Sequence, residues 1–171
     1  MTRAETVTST LEFFDHPTPG FTWTIRGWRG KATANAARRG RLRKRLSLLK
    51  RDGEQWRTLL VVAEATHARH DPAGKTWRDS VWAMKNGAPF RVTVEEWGKP
   101  PRDVPNVSES IKRGIDALVL AGWIPGDGPN QLQELVVRDG RPAAKARCEV
   151  ATVGVRLVVE AITITNSGGA R

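Results

Sequence analysis

Between residues 90 and 137 the hydrophobic pattern changes period twice, and a chain that does so must combine strands with a packed helix. Phe90-Arg91-Val92-Thr93-Val94-Glu95 alternates apolar and polar residues, as a strand with one buried face does, and Gly98 with Pro100-Pro101 ends it. Asn106-Val107-Ser108-Glu109 then offers a helix cap with an acidic residue three positions on. Val107, Ile111, Ile115 and Leu118 follow at helical spacing as one apolar stripe, and Gly122 closes the helix. After the turn-forming Pro125-Gly126-Asp127-Gly128-Pro129, Leu132 to Val137 reads as a strand again.

The rest of the chain adds to this frame. Residues 1–20 mix Thr, Pro and Gly and read as an irregular lead-in, after which Phe21-Thr22-Trp23-Thr24-Ile25 alternates as the first strand. From Arg38 to Arg51 Leu42, Leu46 and Leu49 recur at helical spacing among Arg38, Arg39, Arg41, Arg43, Lys44, Arg45, Lys50 and Arg51, which predicts an amphipathic basic helix. Asp52-Gly53 is expected to break it before Trp56, Leu60 and Ala63 set out a longer helix from about Glu54 to His67. The segment from Lys75 to Gly87 fits a short helix or an extended arm equally. Val155-Arg156-Leu157-Val158-Val159 is apolar enough for a central strand, and residues 166–171 are expected to fray. The sum is an α+β fold in a single domain over 1–171. A small mixed sheet of about four strands packs against two main helices, with a basic N-terminal helix besides.

Charge bounds the partners. Twenty-eight Lys and Arg against 18 Asp and Glu give a formal +10, which favours a polyanion, with nucleic acid the leading candidate. Cys148 is the single cysteine, so an intrachain disulfide and a thiolate zinc site are excluded and a cytoplasmic protein is expected. The first residues lack an apolar signal core, and no run approaches the ~18 apolar residues of a membrane span, so no membrane role is expected. His67 and His70 have no third metal ligand nearby; no P-loop, Gly-x-Gly-x-x-Gly or thiol nucleophile with a placed histidine supports nucleotide or thiol chemistry. Trp28, Trp77, Trp82 and Trp97 lie beside Arg or Lys, which suits boundary tryptophans of the core and also stacking on exposed bases.

The same 90–137 region carries the candidate chemistry. Asp103 sits in the loop before the helix, Lys112 and Asp116 form an i, i+4 pair within it, and Asp127 lies in the loop after it. Should the helix fold back beside its strand, three carboxylates and a lysine would converge. Carboxylates held close repel, and Mg²⁺ relieves that repulsion while bridging phosphate oxygens, as phosphodiester hydrolysis requires. Plainer readings stand beside this one: turn residues for Asp103 and Asp127, and an exposed helix pair for Lys112 and Asp116.

In order and spacing, Arg102-Asp103-Val104-Pro105-Asn106, Lys112, Asp116-Ala117-Leu118, Gly122 and Gly126-Asp127 resemble the motif of the RusA-type Holliday junction resolvases. The resemblance implies a small dimeric α+β endonuclease that cuts four-way DNA junctions with Mg²⁺. It makes Asp103 and Asp127 metal ligands, Lys112 a cation near the scissile phosphate and Asp116 a supporting carboxylate. Arg38, Arg39, Arg41, Arg43, Lys44, Arg45 and Arg102 are the expected DNA contacts. Pro105 stands where the family has its second motif aspartate, and Gly126 where it has the first of an Asp-Asp pair. Lost ligand charge gives a second expectation, a relative that binds junctions or other nucleic acid without cutting. A third is an RNA-binding or assembly protein whose basicity is unrelated to junctions.

Overall fold

The computed structural model describes residues 6–14, 18–31, 42–70, 88–98, 102–148 and 151–162. In chain order these form β1 (Thr8–Phe14), β2 (Gly20–Arg26), α1 (Leu42–His70), β3 (Phe90–Trp97), α2 (Val104–Leu120), β4 (Leu132–Asp139), α3 (Arg141–Ala146) and β5 (Gly154–Ala161). The strands make one sheet in the order β1-β2-β5-β3-β4, antiparallel at every pairing except the last, where β3 and β4 run parallel. That parallel pair needs a crossover, and α2 supplies it. The architecture is the expected α+β class, with five strands rather than about four and with three helices among the described residues.

Period-two alternation explains the core. Phe21, Trp23 and Ile25 of β2, Phe90, Val92 and Val94 of β3, and Val155, Leu157 and Val159 of β5 point to one face and are almost wholly excluded from solvent. Trp56 and Leu60 of α1 and Ile111, Ile115 and Leu118 of α2 close over that face to form a single cluster. Each such side chain gains roughly 1.5–3 kcal/mol from burial. The Trp56 ring meets Trp23 and Trp28 edge-on, at centroid separations of 5.2 and 5.0 Å. Gly114 lets α2 approach, since a Cβ there would lie 3.0 Å from the Trp56 ring.

Two expectations about the N-terminal half are corrected. Residues 8–14, read as part of an irregular lead-in, are the edge strand β1. Its inward positions are Ser9, Leu11 and Phe13, and Ser9 breaks the apolar alternation because its Oγ accepts the Trp23 indole N–H at 2.9 Å. Asp52-Gly53 does not interrupt the helix, for α1 runs unbroken through 29 residues. The Asp52 carboxylate is buried and accepts the backbone N–H of Lys31 at 2.9 Å, so it ties the loop after β2 to the helix instead of competing for helical amides. The basic stretch described from Leu42 to Arg51 is therefore the first part of the long helix. Arg38, Arg39, Arg41, Trp77, Trp82 and the tail 166–171 lie outside the described residues.

A smaller correction concerns α2, which begins at Val104 and is capped by Asp103, not by Asn106. Among the described residues no helix is long and apolar enough to cross a membrane.

Candidate functional site

At the C-terminal ends of the parallel strands β3 and β4, beside the first turn of α2, lies a cleft of about 360 Å³. In sheets with parallel strands and crossover helices this edge is where ligands settle, because backbone N–H groups at a helix start face outward there. Three segments converge on it: residues 27–30 after β2, 98 and 102–103 after β3, and the β4–α3 junction at 138–141.

Its organising residue is Glu96. Phe90, Val92, Val94 and Glu96 share the inward face of β3, so the alternation that buries three apolar residues also carries a carboxylate inward, to 5% exposure. A buried carboxylate needs partners. Arg29 Nη1 donates to Glu96 Oε1 at 3.2 Å, and Arg102 donates from Nε to Oε1 at 2.7 Å. Arg102 Nη2 donates to Oε2, making the pairing two-pronged. The third prong of Arg102, Nη1, donates to the Gly30 carbonyl at 2.6 Å. Gly140 N–H donates to the Glu96 carbonyl at 2.8 Å, and only glycine permits that approach, since a Cβ would lie 2.9 Å from the β3 backbone. Gly98 turns the chain away from β3 at φ 145°, a conformation that favours glycine.

Asp139 and Arg141 form the opposite lip. The Asp139 carboxylate accepts the Arg141 backbone N–H at 3.0 Å and its side chain from Nε at 2.9 Å and from Nη2 at 2.7 Å. The Arg141 guanidinium and then its backbone N–H hold the Asp139 carboxyl down at about 2, and Asp139 in turn raises Arg141 above its ordinary value. Four arginines, Arg29, Arg102, Arg138 and Arg141, thus line the cleft together with Glu96, Asp103 and Asp139. Trp97, expected to be either core or base-stacking, is buried here and donates to the Ala151 carbonyl at 3.3 Å.

The residues singled out from sequence are dispersed. Asp103 reaches the cleft, but as the helix cap: its Oδ1 accepts the Asn106 N–H at 3.1 Å. Arg102 reaches it too, though pinned by Glu96 with its side chain only 11% exposed. Lys112 is exposed midway along α2. Asp116 pairs with Arg113 at 3.1 Å in the groove between α1 and α2. Asp127 is exposed at the far end, in the turn whose Gly128 carbonyl accepts the N–H of Gln131, and Gln131 in turn accepts Phe90 N–H where β3 starts. The seventeen residues of α2 separate that end from Asp103 by about 25 Å, at roughly 1.5 Å per residue.

Within one chain, then, these residues do not fit a Mg²⁺ ion. Among the described residues no group of three or more His, Cys, Asp or Glu could hold a metal. Both oxygens of Glu96 and of Asp139 are engaged by guanidinium groups. Of the expected DNA contacts, Arg43 is exposed on α1 and, with Ser47, Leu48 and Arg51, borders a shallow surface hollow. Lys44 and Arg45 belong to the same helix, their side chains outside the described residues.

Arg29, Glu96, Asp139 and Arg141 were not picked out from sequence. Glu96 had a signal, an acidic residue at the inward phase of an alternating strand. Arg29 had none, since only the sheet brings residues 29 and 96 together. No protein-family model matches the chain, and no curated protein matches it.

Proposed function

We propose that the protein binds DNA through its phosphates and prefers branched DNA, as a relative of the RusA-type resolvases whose carboxylate motif has drifted. The observation that carries this is the arginine-lined cleft at the ends of β3 and β4, at the start of α2, where the resembling motif begins. Support comes also from the formal charge of +10 and from the exposed Arg43, Lys50 and Arg51 along α1. Phosphate contacts fix position without reading bases, which suits a protein that recognises the form of a junction.

Junction cleavage with Mg²⁺ is the second reading. What favours it is that Asp103 caps the start of α2 and Asp127 lies in the turn beyond its other end. A two-fold dimer pairing α2 antiparallel with its copy brings Asp103 of one copy beside Asp127 of the other, twice over.

Fluorescence anisotropy with a labelled four-way junction and a linear duplex of the same sequence tests the first reading. Junction affinity should exceed duplex affinity, and log K should fall linearly with log salt between about 50 and about 200 mM. Absence of binding at the lower salt sinks it. Incubation with Mg²⁺ tests the second: incision should be lost in Asp103→Asn and in Asp127→Asn and return when the two variants are mixed. No incision by wild type above a protein-free control rejects cleavage and leaves binding in place.

A further inference from the structure

Three of the cleft's four arginines are held by carboxylates. Glu96 holds Arg29 and Arg102, and Asp139 holds Arg141. A guanidinium carries five N–H donors. Arg102 spends two on Glu96 and one on the Gly30 carbonyl, which fixes its plane and leaves two for a ligand. Arg141 spends its Nε donor and one of Nη2 on Asp139 and keeps three. Such fixed forks match the paired oxygens of a phosphate.

The carboxylates are used up in the same measure. Admitting a hard cation to Glu96 would displace Arg29 and Arg102 and strand their charges in a largely buried place, which is strongly unfavourable. Asp103 keeps one oxygen beyond its cap, the fewest protein ligands with which Mg²⁺ is held beside a phosphate.

We propose that the cleft takes a backbone phosphate of DNA directly on Arg102 and Arg141 with no divalent ion between them, and that Glu96 is the positioning residue that fixes Arg102 for it. This rests on the DNA-binding reading above. Its opposite, a phosphate held through Mg²⁺, is what the resembling motif implies.

The test is an anisotropy titration of the full chain with a labelled four-way junction, in EDTA and in Mg²⁺ at equal ionic strength. Binding should be no tighter with Mg²⁺ than with EDTA. Arg102→Lys keeps the charge but loses the fork, and should weaken binding about tenfold, as should Arg141→Lys. Glu96→Gln should weaken it to a similar extent, and Glu96→Gln with Arg102→Lys no further than either alone, because Glu96 acts through Arg102. A thermal midpoint for each variant controls for folding; should Glu96→Gln unfold, the two lysine variants decide. Binding that requires Mg²⁺, or lysine variants that bind like wild type, overturns the metal-free site and leaves DNA binding standing. Failure of wild type to bind at low salt in either condition overturns the DNA reading itself.

Discussion

Asp139 shows how far a residue's chemistry depends on neighbours two positions away. Its carboxyl falls from the ordinary 3.8 to about 2 because Arg141 meets it with both side chain and backbone. The folded carboxyl thus stays ionised below the range in which the unfolded one takes up its proton. The pair's contribution to stability is full above about 3.8 and is lost as pH falls toward 2. Carboxyl-carbon NMR titration should find Asp139 near 2 and, in Arg141→Ala, raised toward its ordinary value, held short of it by the backbone N–H that remains; an unchanged titration in that variant would refute the assignment. Along the sequence Asp139-Gly140-Arg141-Pro142 has the composition of a turn, with nothing in it to mark a site. Asp103 was legible in one of its two readings, a loop residue before a helix, and the structure gives that reading a definite form as the cap of α2. Lys112 and Asp116 were legible as helix residues, but the partner of Asp116 is Arg113.

Helices and strands were legible where one period ran without interruption. β3, α2 and β5 carry clean patterns, and each lies within a few residues of where that pattern sets it. The misreadings fall where a polar residue occupies an inward position for a tertiary reason. Ser9 takes the Trp23 indole proton and conceals β1, while Asp52 takes the Lys31 amide and imitates a helix end. Gly53 beside it has no contact to protect, for a Cβ there would meet nothing within 4 Å. Gly53→Ala should therefore stabilise the protein by about 0.5–1 kcal/mol, by reducing the freedom of the unfolded chain. Thermal or denaturant unfolding checks this, and a lower midpoint would show that the glycine serves a contact.

The whole molecule turns on β5, the last strand among the described residues and the middle one in the sheet. It pairs β2 through Gly20–Arg26 on one side and β3 through Phe90–Trp97 on the other. A chain ending at residue 153 would leave both neighbours with open edges and remove Val155, Leu157 and Val159 from the core. Such a truncation should lose cooperative unfolding by circular dichroism rather than shift its midpoint, and a cooperative transition would contradict this view of β5. Because the cleft draws on loops that follow β2, β3 and β4, its assembly depends on the same pairing.

By itself the sequence determined the class of fold, the basic character and most of the regular elements, because period and charge are local properties written along the chain. Tertiary structure alone decided which polar groups meet. The sheet brought Arg29 to Glu96 across 67 positions, and α2 keeps its cap Asp103 apart from the turn that carries Asp127. Contacts between residues distant in sequence follow from how elements pack, and no spacing along the chain encodes that packing.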